Sequence, residues 1–174
     1  MEGQLHTTRL AADFFTHSYR ISGRVDVRHK KLADQINDST TSFLQLEDVY
    51  VSNIEYPADI TASHITATLC KGNITAVVVA RQEDGLSREH TYGSYLGTYL
   101  RKVLFIVPSF EIEGHLRLSS KLDLRAVLTS GAGGFASILD GQMKPSLRPD
   151  ITFTGGAILV NKDHIGAFGV GEEE

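Results

Sequence analysis

Histidine, cysteine and carboxylate side chains are where metal binding or acid–base chemistry would begin. The chain carries His6, His17, His29, His64, His90, His115 and His164, but no two have the i, i+4 spacing that places a zinc pair on one helical face. Cys70 is the single cysteine, and HExxH, CxxC and GxSxG are all absent. Asp48 and Asp140 occupy equivalent places, and a catalytic role would need an acid, base or metal partner that the sequence does not show. A catalytic role is the alternative to the expectation for both, an Asx turn or a backbone cap at the end of a strand. The glycine-rich run SGAGGF at 130–135 could offer backbone N–H groups to a phosphate. No Lys-Ser/Thr follows it, and the corresponding loop earlier in the chain is STTSF, so a flexible turn is the expectation. These residues lead us to expect no catalytic set, no metal and no cofactor.

Binding residues are easier to nominate. Arg20, Arg24 and Arg28 alternate along one stretch and share a strand face, followed by His29-Lys30-Lys31. Asp26 interrupts them, and a solvated outer face is the competing reading. Tyr92, Tyr95 and Tyr99 fall at spacings of three and four, which suits either a contact surface or the cover of an internal seam. Cys70, beside only Lys71, reads as structural.

The elements that would position these residues occur twice. SYRISGRVDVR at 18–28 returns as SFEIEGHLRLS at 109–119, an offset of 91 that pairs Ile21 with Ile112, Gly23 with Gly114 and Val25 with Leu116. The same offset aligns TATLCKGNITAVVV (66–79) with AILVNKDHIGAFGV (157–170), Lys71 falling on Lys162. Between them Leu32, Ile36, Phe43 and Asp48 match Leu124, Leu128, Phe135 and Asp140 at an offset of 92. The pattern predicts a tandem duplication: one repeat over 10–80, a linker over 81–100 and a second repeat over 101–171.

Each repeat reads alike. LAADFFT and RKVLFIV are apolar strands. Residues 19–28 alternate with period two, and Gly23 stands on the inward face, where a glycine marks a bend, a bulge or close backbone approach. Leu32 and Ile36 share a face of a helix of one to two turns. SFLQLEDVYV is a strand whose apolar phase changes at Glu47-Asp48, the mark of a bulge. Residues 53–63, with Pro57 and Asp59, are expected to loop, and 66–79 to form a hairpin with Lys71-Gly72 at its tip. Five short strands per repeat predict an all-β chain of two tandem small β-barrel-like repeats, packed about a pseudo-two-fold axis.

Composition narrows the partners. The net charge is −4, and Lys+Arg against Asp+Glu run 6 against 8 in residues 10–80 and 8 against 6 in residues 101–171. Neither repeat carries the positive surplus of a general phosphate-backbone binder, so nucleic acid is an unfavoured partner. One cysteine fits a reducing compartment, and the N-terminal segment lacks the basic start and apolar core of a signal peptide. Apolar runs such as VLFIV at 103–107 are too short for a bilayer. The expectation is a cytoplasmic chain, with the sequons at Asn37 and Asn73 unused.

The pattern G-x-V-x-V…L-x-D-x-I-N…F-L-x-L-x-D-V resembles duplicated bacterial domains of unknown function. FLQLEDV followed by KGNITAVVV resembles the late strands of Sm-like small barrels, which bind RNA and form rings. The first likeness implies a bacterial origin and names no activity. The second implies a small barrel, though the matching face here is not basic and the family's glycine-aspartate pattern is missing. The expected function is a non-catalytic interaction module for a protein partner or small ligand. The alternatives are Sm-like RNA binding and an enzyme with its site in the cleft between repeats.

Overall fold

Alternating side chains drive the chain into strands, and the strands run through one sheet. The structure is a computed structural model that describes residues 8–87, 99–118, 128 and 134–171. In order these are β1 (Arg9–Phe15), β2 (Tyr19–Asp26), a short helix α1 (Leu32–Asn37), β3 (Phe43–Asn53), β4 (Tyr56–Cys70) and β5 (Ala76–Val79). The second half gives β6 (Tyr99–Val107), β7 (Phe110–Leu118), β8 (Phe135–Pro145), β9 (Phe153–Asn161) and β10 (Ala167–Val170). All pairings are antiparallel, in the order β10-β6-β7-β8-β9-β5-β1-β2-β3-β4.

Both halves therefore arrange their strands fifth-first-second-third-fourth. They join where β9, the fourth strand of the second half, pairs with β5, the fifth of the first. This corrects two expectations. The sheet is open and continuous, with β4 and β10 as its outer edges, and no pair of closed barrels is shown. A pseudo-two-fold would set like strands against each other, whereas here fourth meets fifth, a head-to-tail relation. Five antiparallel strands also reverse the strand direction from one half to the next, so the relation is a two-fold screw that swaps the faces of the sheet.

The cores record that swap. Ala12 and Phe14 of β1 enter one apolar cluster with Val25, Leu46 and Val49, while their counterparts Val103 and Phe105 of β6 enter a second with Ile112, Ile138 and Met143. At the junction β5 sends Val77 and Val79 to the first cluster and Ala76 and Val78 to the second. β9 likewise divides Ala157 and Leu159 from Ile158 and Val160. Successive residues point to opposite faces, so the two cores lie on opposite sides of the sheet. Central strands buried on both faces need unbroken apolar runs, which is why AVVV and AILV occur here.

The bulges appear where the phase change predicts them. The β2–β3 register slips between Ser22 and Arg24, and the β7–β8 register between Glu113 and His115. Asp48 and Asp140 occupy the left-handed region, at φ 52° and 50°. Gly23 and Gly114 face these bulges: a Cβ on Gly23 would lie 3.1 Å from Leu46 Cδ1, and one on Gly114 only 2.3 Å from Ile138 Cγ2. The third strand lies close against each glycine, by the Leu46 side chain at Gly23 and by both side chain and backbone, Leu139 O at 2.9 Å, at Gly114.

Two local expectations fail. Residues 56–63 continue β4 rather than looping, because Pro57 lies on an edge strand that needs no donor on its outer side. The segment 66–79 is not a hairpin, since β4 pairs with β3 alone while β5 crosses to β1 and β9. A 3₁₀ turn at Lys71–Asn73 makes the transfer. Lys71 is drawn inward there, 8% exposed, and its Nζ donates to Gln35 O (2.6 Å), Asp38 O (3.0 Å) and Thr41 Oγ1 (2.6 Å). The ammonium thus closes the carbonyl end of α1.

Candidate functional site: a paired-charge face and two open edges

Strand β2 carries Arg20 and Arg24, each beside a carboxylate. Arg20 Nη2 donates to Asp13 Oδ2 at 2.8 Å, Ser22 Oγ donates to Asp13 Oδ1 at 2.6 Å, and the guanidinium lies 5.5 Å from the Phe153 ring centroid. Arg24 faces Asp48 at 3.9 Å. Arg28, beyond the strand end, approaches Asp26 at 3.6 Å, and its backbone N–H donates to the same carboxylate. The nominated arginines are thus set against carboxylates, a surface poorly matched to an anion. Arg20 Nε is buried without a partner, the one such side-chain atom among the described residues.

Tyr99 opens β6 opposite Leu118. Tyr92 and Tyr95 lie outside the described residues, as do residues 130–133 of the glycine-rich run.

Two shallow cavities flank the first half. One, of about 310 Å³, opens over the bulge between Asp13, Ser22, Arg24, Asp48 and Tyr50. The other, of about 390 Å³, lies beside α1 among Asp26, Lys30, Gln35, Asp38 and Phe43. In the second, the Lys30 ammonium bound to Asp38 at 2.7 Å, with the Thr40 hydroxyl and N–H, holds the Asp38 carboxyl well below the usual range. Burial pushes the neighbouring Lys71 amine down, partly opposed by the Asp38 charge. Each of these groups serves the turn after α1. Among the described residues no three His, Cys, Asp or Glu side chains gather to hold a metal. No helix among them is long and apolar enough to cross a membrane.

Sequence reasoning missed a contact between the halves. His164 Nε2 lies 2.8 Å from Gly72 O, which can only accept, so Nε2 carries a proton. Nδ1 then lies 3.0 Å from Thr75 Oγ1, and Thr75 is fully buried. A threonine beside a histidine is a nucleophile-and-base pairing in outline, but no substrate reaches this hydroxyl. The pair ties one half to the other. Its signal was legible only after the halves were known to touch, since 89 residues separate them.

The edges of the sheet are the most distinctive surface. β4 runs for 15 residues and, among the described residues, has no strand on its outer side; Tyr56, Ile60 and Ile65 along it are exposed, Ile65 to 85%. Over Thr66–Cys70 it bears no charge, proline or glycine to blunt the edge. Ala167–Val170 likewise bears no charge or proline, though Gly169 lies within it. No protein-family model, curated protein or solved structure matches the chain.

Proposed function

We propose that the chain is a non-catalytic interaction module, one that binds a protein partner by adding a strand to its open sheet. The observation that carries this is the long outer side of β4, unpaired among the described residues and free of charge over Thr66–Cys70. Unpaired backbone donors and acceptors in a row offer main-chain hydrogen bonds to an extended segment, with alternate side chains supplying specificity. In this reading the halves are copies of one five-stranded, barrel-like unit, supported by their common strand order, paired glycines and paired bulges. We also read the chain as a cytoplasmic bacterial protein. The carboxylates beside Arg20, Arg24 and Arg28 favour a protein partner over RNA of the Sm-like kind.

The test is a selection of displayed extended peptides on the intact protein, followed by hydrogen exchange of the winning complex. Slowed exchange of amides in 64–70 or 167–170 is the expected result. Peptides that protect neither edge would overturn the reading. So would single-stranded RNA binding with a steep loss of affinity in a salt series, the mark of phosphate contacts.

A further inference from the structure

The sheet already contains the joint that its edges lack. β5 pairs with β9 in the register Ala76↔Val160, Val77↔Leu159, Val78↔Ile158, Val79↔Ala157. The counterpart of β5 is β10 and the counterpart of β9 is the stretch 62–70 of β4, both at the offset of 91. Among the described residues, those two counterparts are the outer edges of the sheet. We infer that a second copy of this chain is the partner for these edges: β10 of one molecule pairs with β4 of the next, with Ala167 opposite Leu69, Phe168 opposite Thr68, Gly169 opposite Ala67 and Val170 opposite Thr66. The inference rests on the strand-addition reading and names its partner.

The backbone alternation agrees with that register. Lys71 N donates to Ser42 O, so Lys71, Leu69 and Ala67 turn their hydrogen-bonding groups toward β3, and Thr66, Thr68 and Cys70 turn theirs outward. Gly171 N donates to Lys102 O, so Gly171, Gly169 and Ala167 address β6, and Phe168 and Val170 face out. The outward residues on the two edges are the ones the register sets opposite: Phe168 with Thr68 and Val170 with Thr66. In the internal joint, Asn161 N donates to Thr75 O, which likewise turns Asn161, Leu159 and Ala157 toward β5. Two edges whose free groups fall in step with an existing joint form a matched pair.

A side chain supports the same arrangement. Phe43 and Phe135 are counterparts, yet Phe43 is 60% exposed and Phe135 only 7%. Phe135 is covered because the second half docks on the first, where Asn37 Oδ1 accepts from Phe135 N at 2.9 Å and α1 packs against β8. Docking of a neighbour's second half on β3–β4 brings Phe43 to the equivalent position. The contact is weaker than the internal one. Val77, Val78 and Val79 become Phe168, Gly169 and Val170, and Asn161, whose Nδ2 donates to Ile74 O, becomes Cys70. Association therefore rests mainly on main-chain hydrogen bonds and is reversible. It is also heterologous, so it continues past the dimer into rings or short filaments.

The experiment uses the full chain with Cys70→Ser to remove the native thiol. One preparation carries Ala67→Cys and the other Gly169→Cys, a position where an added Cβ meets nothing within 4 Å. The two residues form a non-hydrogen-bonded pair in the register above, with the close Cα spacing that a disulfide accepts. Mixed and oxidised, they are expected to cross-link unlike with unlike, and the double variant to give a ladder beyond the dimer. Light scattering of the uncross-linked protein should show mass rising with concentration. Thr68→Pro removes one outward N–H without touching the β3 ladder and should weaken association about tenfold. Thr68→Ser, which keeps the N–H, should not. Cross-links of like with like in equal yield, an unlike cross-link no faster than in denatured chains, or a constant monomer mass would each overturn the second-copy inference. The peptide selection would still stand or fall on its own, because a monomeric chain can accept a foreign strand.

Discussion

β9 and β4 hold the same place in their halves, fourth in order beside the third strand, and their burial hardly agrees. Ala157-Ile158-Leu159-Val160 is buried on both faces, whereas Thr66-Ala67-Thr68-Leu69 buries only Leu69 fully and leaves its threonines in water. β5 and β10 differ in the same sense, AVVV against AFGV. The positions that keep their character in both are those aimed at the half's own core, such as Val25 with Leu116 and Leu46 with Ile138. The neighbour across the edge, rather than the place in the fold, therefore decides whether the second face is apolar.

That comparison can be broken at several points. Leu159→Ala removes a fully buried side chain from the joint and should cost about 2–5 kcal/mol of unfolding free energy. Thr68→Ala, its counterpart, should stay within about 0.5 kcal/mol, both read by chemical denaturation of dilute protein. Equal losses would show that β4 is as enclosed as β9. The paired glycines come next. Gly114→Ala sets a Cβ 2.3 Å from Ile138 Cγ2 and 2.9 Å from Leu139 O, and should lose about 1–3 kcal/mol. Gly23→Ala meets Leu46 at 3.1 Å, where a leucine can shift, so its loss should be under about 1 kcal/mol. Melting temperatures of the two variants check the order.

Smaller effects test what the halves hold in common. Asp48→Gly and Asp140→Gly relieve a left-handed backbone and should each gain about 0.5–1 kcal/mol, by like amounts. Unlike gains would mean that one aspartate does more than turn its bulge. Finally, Asp38 titrates lower in the folded chain than in the unfolded one, so its support is complete above the ordinary value of 3.8 and fades as the pH falls below it. Asp38→Asn should flatten the acid limb of stability against pH below that point. An unchanged limb would place acid sensitivity elsewhere.

Much of this was legible in the residues. Short apolar stretches located β1 and β6, period-two alternation located β2 and, through the repeat, β7, alternating apolar residues around Glu47-Asp48 located β3, and Leu32 with Ile36 located α1. The phase change at Glu47-Asp48 and the inward Gly23 announced the bulge. What was hidden depends on contacts distant along the chain. Lys71-Gly72 looks like a hairpin tip in a local window, and only the carbonyl end of α1, more than thirty residues away, explains why the chain turns off there. The continuous sheet was hidden because AVVV and AILV announce burial on two faces without saying whose core lies on the second. The nominated arginines were legible as a shared strand face, but their carboxylate neighbours were not, since Asp13 and Asp48 come from other strands.

Five strands per half is an odd number, and parity has an architectural cost. With an even count, the next unit would begin with its strand in the original direction, and every unit would fill its interior from the same side. One continuous interior could then serve both, and the joining strands could keep a polar outer surface. An odd count forces each unit to invert relative to the last, so every joint is wedged between two interiors and must be greasy through and through. A sixth strand inserted in either half would remove the reason for AVVV and AILV to exist.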